Sequence, residues 1–239
     1  MDVEQMVPGT HTKHLGVAPR WAASCVFLAA ASLFAGIAHA EFDPKTGVSA
    51  CVLWLDAASV DSTSIAQWAD LSGLGNSALQ DDAELQPELR GASIGGKPAV
   101  WFDGDDMLAT PLSMDWSNTD WTVFAVACLE SDTPNDWRGI VGNRFGEGAA
   151  NWWTLGTKSD GTLYLEFSPG HGVNTSLAVR EAGPQIYAIS KREDGFELLR
   201  NGRTTGSFIQ DNVGGRTNTL CIGRWYGAGQ GWRGGIGEV

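Results

Sequence analysis

Three carboxylates, Asp103, Asp105 and Asp106, stand together in the stretch AVWFDGDDMLAT, residues 99–110. Calcium takes several hard oxygens at about 2.3–2.6 Å, commonly from carboxylates and backbone carbonyls. The three acids are therefore a candidate calcium site, in which the ion would brace loops rather than take part in chemistry. Their spacing does not follow an EF-hand loop. The same composition also suits a chain reversal, because Asp bonds its own backbone and Gly accepts a positive φ. Trp101-Phe102 and Met107-Leu108 read as the ends of two strands on either side. The turn role therefore ranks first and the metal role second. Asp70, in ADLSGLGN, is another oxygen donor whose first role is again to cap a turn.

Aromatic residues offer a second chemistry. A flat ring can stack on the C–H face of a sugar while neighbouring polar groups read its hydroxyls. The chain has 11 tryptophans, and only Trp21 lies in its N-terminal apolar run. Trp54, Trp68, Trp101, Trp121 and Trp232 fall in strand-like patterns and are assigned to the core. Trp137 in TPNDWRG, the pair Trp152-Trp153 after FGEGAAN, and Trp225-Tyr226 in GRWYGAGQG lie instead in polar or glycine-rich stretches. Side chains of adjacent strand residues point to opposite faces, so one ring of Trp152-Trp153 is expected to be exposed. Trp137, Trp153, Trp225 and Tyr226 are the candidate ligand contacts, with Arg138, Asn143, Arg144 and Arg224 as the polar rim.

The elements that must hold these residues are short strands. SACVLWLDA (49–57), AVWFDG (99–104), WTVFAVACLE (121–130), NWWTLGT (151–157) and GTLYLEFS (161–168) alternate with turn signals. QIYAISKR (185–192), FELLRNGRTTGSF (196–208), TLCIGRW (219–225) and WRGGIGEV (232–239) continue the pattern. Asp160-Gly161, Asp194-Gly195 and Asn201-Gly202 are hairpin signals. About ten strands at regular spacing indicate an antiparallel sandwich or barrel. DSTSIAQWAD (61–70) is the one helix candidate, and it reads equally well as extended chain.

Residues 1–40 read as a signal peptide. Lys13 and Arg20 precede an uncharged apolar run, Trp21–Ala40, that ends in the small-x-small pattern Ala38-His39-Ala40. Residues 41–50 form a short lead-in and 51–239 the domain. The leader carries Asp2 and Glu4 against Lys13 and Arg20, so the mature chain keeps the full −12 charge. Nucleic acid and anionic membrane demand a basic surface and are excluded as partners. No membrane insertion is expected after cleavage. Cys51, Cys128 and Cys221 lie inside apolar runs and read as buried thiols, with room for one disulfide. They form no zinc or redox motif. The chain stops inside a strand pattern at Glu238-Val239, which would leave an open sheet edge and suggests truncation.

Several spaced fragments resemble bacterial secreted members of the laminin-G-like, concanavalin A-like lectin/glucanase superfamily. LWLDA (53–57), QWADLSG with GNSALQ (67–80), GGKPAVWFDGDDML (95–108), EDGFELLRNGR (193–203) and WRGGIGEV (232–239) stand in that family's order. The resemblance implies a jelly-roll sandwich of two antiparallel sheets, often with calcium at its edge. Gly235 stands where the family often has Asp. The family's glucanases use a Glu-x-Asp-x-Glu strand, whose alternation puts nucleophile and acid on one face about 5 Å apart. That pattern is absent here. REDGFE is interrupted by Asp194-Gly195, and Glu166 stands alone in YLEF. His171 is the only histidine beyond the leader, so no Ser/His/Asp set is recognisable.

The sequence thus indicates a secreted or cell-surface, non-catalytic recognition module for a polysaccharide or glycan. A protein-binding adhesion module that recognises a surface protein is the first alternative. A polysaccharide-cleaving hydrolase or lyase is the second.

Overall fold

The computed structural model describes residues 50–130, 134–144, 152–167, 171–179, 183–192, 195–208, 219–225, 227 and 229–239. The described residues form a sandwich of two antiparallel sheets, as expected. One sheet has eight strands: β1 (Gln67–Trp68), β2 (Ala78–Leu79), β5 (Leu108–Ala109), β14 (Cys221–Ile222), β7 (Arg138–Gly142), β8 (Trp153–Thr157), β9 (Thr162–Phe167) and β10 (His171–Ala178), in that spatial order. The other has seven: β13 (Arg203–Phe208), β12 (Gly195–Arg200), β11 (Gln185–Arg192), β6 (Trp121–Leu129), β15 (Arg233–Glu238), β4 (Lys97–Asp103) and β3 (Glu88–Ile94).

Period-two alternation decides which side chains enter the core. On β6, Trp121, Ala125, Ala127 and Leu129 join the central cluster, and on β9 Leu163, Leu165 and Phe167 do so. Tyr164 and Glu166 therefore share the opposite, outer face of β9. Hairpins form where the turn chemistry is strongest. Gly161 (φ 79°) joins β8 to β9, and Asn201 and Gly202 (φ 50° and 74°) join β12 to β13. Two successive positive φ values match the right-handed twist of the flanking strands.

One open alternative is decided and two expectations are corrected. The DSTSIAQWAD stretch is extended and contributes β1, since Ile65 and Trp68 fill the core and their backbones pair with neighbouring segments. The last strand is no open edge, because β15 lies between β6 and β4. FDGDDML does not turn one strand back on its neighbour; it carries the chain from β4 in one sheet to β5 in the other. All three described cysteines are free thiols, with Cys128 and Cys221 buried. Burial pushes the Cys221 thiol up to about 12. Among the described residues no helix is long and apolar enough to cross a membrane.

Candidate functional site

Two crossovers between the sheets pack side by side at one end of the sandwich. The first is the acidic turn after β4; the second lies between β14 and β15, and its described residues are 223–225, 227 and 229–232. Gly231 donates its backbone N–H to the Gly104 carbonyl at 3.1 Å. The Arg138 guanidinium donates to the Gly231 carbonyl at 2.9 Å, and Arg224 donates to the Asp105 carbonyl and to Met107 Sδ. The second crossover also lies directly against β7. A Cβ on Gly139 would sit 2.2 Å from the Arg224 carbonyl, so only glycine permits the approach.

This contact sets Trp225 over the outer face of the eight-stranded sheet. Its ring centroid is 5.2 Å from that of Trp137, and Trp137 is 5.6 Å from Tyr164. Tyr164 and Trp225 are parallel within 9° at 6.1 Å. Beside these rings stands Glu166, whose Oε2 accepts from the Trp225 indole N–H at 3.1 Å and from Arg144 at 3.2 Å. The Arg144 guanidinium in turn lies 3.7 Å over the Trp152 ring. Small residues surround this array. Thr154 and Gly172 are the cross-strand partners of Glu166, and Gly156 and Asn174 those of Tyr164. A Cβ at Gly172 would come within 2.5 Å of the Tyr164 hydroxyl, so its absence leaves room for that ring. Lys158 bonds Asn174 at 3.1 Å at the far side of Tyr164.

Burial pushes the Glu166 carboxyl above its usual range, offset in part by Arg144 and the Trp225 N–H. Burial, then the nearby Glu166 charge, also pushes the Tyr164 phenol up.

Of the candidate contacts, Trp137 and Trp225 come together, with Trp137 half-buried and Trp225 only 2% exposed. Trp225 therefore supports the face rather than presenting a free ring. Trp153 is corrected: it is fully buried in the core, stacked on Trp121 at 4.8 Å and edge-on to Trp116. Its neighbour Trp152 does turn the other way, but lies under Arg144 and is buried as well, so neither ring is exposed. Tyr226 lies outside the described residues. Of the polar rim, only Arg144 reaches the face. Asn143 is buried and accepts the Trp153 N–H at 2.7 Å, while Arg138 and Arg224 hold the crossover. Two tryptophans assigned to the core are half-buried instead: Trp54 donates to Glu238, and Trp101 lies under Arg90. Glu166 and Tyr164, which share this face, are not among the contact candidates read from the sequence. The signal that finds them is the alternation in TLYLEF, which puts both on the face opposite Leu163, Leu165 and Phe167.

The acids of the turn converge, with one carboxylate oxygen from each of Asp103, Asp105 and Asp106 within 4.8 Å of the others. They also satisfy the turn itself: Asp106 accepts the Asp103 N–H at 2.9 Å. Hydrogen bonding between the Asp103 and Asp105 side chains holds Asp103 below the usual carboxylate range and Asp105 above it. Burial raises Asp106 to about 6. Asp70 is a turn cap: its two oxygens accept the N–H groups of Trp54, Ser72 and Asn76 and the Ser72 hydroxyl. Burial pushes that carboxyl up, and these bonds outweigh the push and hold it below its usual range.

No family model matches the chain, and no curated protein matches its sequence. Solved structures do match. Domain 4 of AbnA, an extracellular arabinanase from Geobacillus stearothermophilus solved with arabinotriose, is similar at a TM-score of 0.57 and 16% identity over 78% of this chain and 88% of that domain. Trypanosoma rangeli sialidase matches at 0.55 and 12% identity over 78% of this chain, which spans 29% of that enzyme. The binding domain of Paraclostridial mosquitocidal protein 1 matches at 0.54 and 14% identity, over 78% of this chain and 47% of that one. At such identities the likeness is one of fold: the chain is an antiparallel β-sandwich of two sheets.

Proposed function

We propose that the chain is a secreted or cell-surface module of the laminin-G-like, concanavalin A-like type that binds a polysaccharide or glycan without cleaving it. The observation that carries the proposal is the half-buried Trp137 ring, held by Trp225 and Tyr164 beside a carboxylate–guanidinium pair on the outer sheet face. An aromatic face for sugar C–H groups next to polar groups for hydroxyls is what a carbohydrate site requires. The fold's likeness to an arabinanase domain solved with arabinotriose supports the same direction. The mechanism of most glycosidases needs a second carboxylate across the scissile bond. The sheet neighbours of Glu166 are Thr154 and Gly172, which supports the non-catalytic reading.

A structural calcium at Asp103, Asp105 and Asp106 is a second reading, favoured by their convergence. The arginines packed around the turn, which hold it through backbone carbonyls and the second crossover, favour bracing without a metal. Screening residues 41–239 against a polysaccharide and glycan array, in calcium and then in chelator, tests both. Binding in either condition supports the module. Absence of binding by folded protein would leave protein adhesion as the better reading.

A further inference from the structure

The Glu166 side chain is 14% exposed and its two described contacts, to Arg144 and Trp225, both fall on Oε2. Oε1 takes no hydrogen bond among the described residues. A carboxylate oxygen has acceptor capacity only. Beside the parallel Tyr164 and Trp225 rings this free acceptor can exchange solvent for a donor brought by a ligand. Sugar hydroxyls are such donors, and hydrogen bonds to an ionised acceptor are roughly twice as strong as neutral ones. An anionic sugar would instead bring its own charge towards Glu166. Arg144 offers it little compensation, because its charge is already engaged by Glu166 and its guanidinium lies over Trp152. The chain as a whole carries a net −12, which adds to the repulsion.

We propose that Glu166 sets the ligand class of this face: neutral sugars whose hydroxyls it accepts, to the exclusion of uronic, sialic and sulfated ones. The inference rests on the carbohydrate-binding reading and adds the charge selectivity to it.

The test is affinity electrophoresis at fixed ionic strength. Arabinan, galactan and β-glucan are compared with polygalacturonate, alginate and chondroitin sulfate, and thermal melts verify that each protein is folded. Wild-type protein should be retarded by at least one neutral polymer and by none of the acidic ones. Glu166→Gln should lower neutral affinity at least tenfold and admit an acidic polymer, because the carboxylate charge that repels it is gone. Glu166→Asp keeps the charge but withdraws the oxygen by one methylene; it should weaken neutral binding while still excluding acids. A purely structural role for Glu166 would not invert charge preference in one variant and preserve it in the other. Preference of the wild type for an acidic polymer, or full neutral affinity in both variants, would overturn the inference and leave carbohydrate binding standing. Retention of folded wild type by no polymer would overturn both.

Discussion

The Trp225 indole N–H reaches the Glu166 carboxylate at 3.1 Å and ties the second crossover to the C-terminal end of strand β9. One bond thus joins the end of the sandwich, where the acidic turn lies, to the outer sheet face where the aromatic rings gather. The two features singled out in the sequence, the acids of FDGDDML and the tryptophans of the polar stretches, meet through this crossover.

The first expected consequence is a division of labour among tryptophans. Trp137→Ala should reduce affinity for a bound polysaccharide at least tenfold, about 1.4 kcal/mol. Its ring is half-buried, so unfolding in urea should shift by about 1 kcal/mol or less. Calorimetric titration and urea melts on the same protein separate the two effects.

Trp153→Ala should behave in the opposite way. The ring is fully buried and contacts Trp116 and Trp121, and removing such a side chain typically costs about 3–5 kcal/mol. A loss below about 1 kcal/mol in urea melts would contradict its place in the core.

How much of this was legible follows from which physical signal each feature leaves in the sequence. The sandwich was readable because β-branched and aromatic alternation and the Asp-Gly and Asn-Gly turns are local signals; Asn201-Gly202 adopts the two positive φ values that its composition favours. The fate of Trp153 was not readable. Periodicity puts Trp152 and Trp153 on opposite faces, but does not reveal that Arg144 covers one while the core takes the other. The sheet-to-sheet passage after β4 leaves no local mark either, since Asp and Gly suit a hairpin and a crossover equally. Glu166 stands alone in the sequence because its partners, Arg144 and Trp225, are 22 and 59 residues away.

The buried acid of the turn should appear in the pH dependence of stability. The folded chain raises Asp106 from the ordinary 3.8 to about 6 and so holds its proton more tightly than the unfolded chain. Its contribution is then fully present below about pH 4 and lost as pH rises through 6. Asp105 is raised as well and acts in the same sense, whereas Asp103 is lowered and acts only below pH 4. Between pH 4 and 7, wild-type stability should fall relative to Asp106→Asn by up to about 3 kcal/mol, read from urea midpoints. Parallel profiles for the two proteins would contradict the burial argument.

Chelation should leave the melting temperature and any glycan binding unchanged if arginines and backbone bonds suffice to brace the acidic turn. A fall in melting temperature that calcium restores in wild type but not in Asp106→Asn would assign the metal role to Asp103, Asp105 and Asp106.

Gly172 should tolerate little. An added Cβ would lie 2.4 Å from the Leu165 carbonyl and 2.5 Å from the Tyr164 hydroxyl. Gly172→Ala should cost about 1–3 kcal/mol by overpacking and weaken ligand binding by displacing Tyr164, whereas alanine at the open Gly91 should do neither.

The most direct test of the central claim is retardation of residues 41–239 on native gels containing neutral polysaccharide, run beside Trp137→Ala. The predicted result is retardation of the wild type by at least one polymer and its loss in the variant, with both proteins folded. No retardation of the folded wild type across the panel, or equal retardation of the variant, would contradict the assignment of this face as a sugar site.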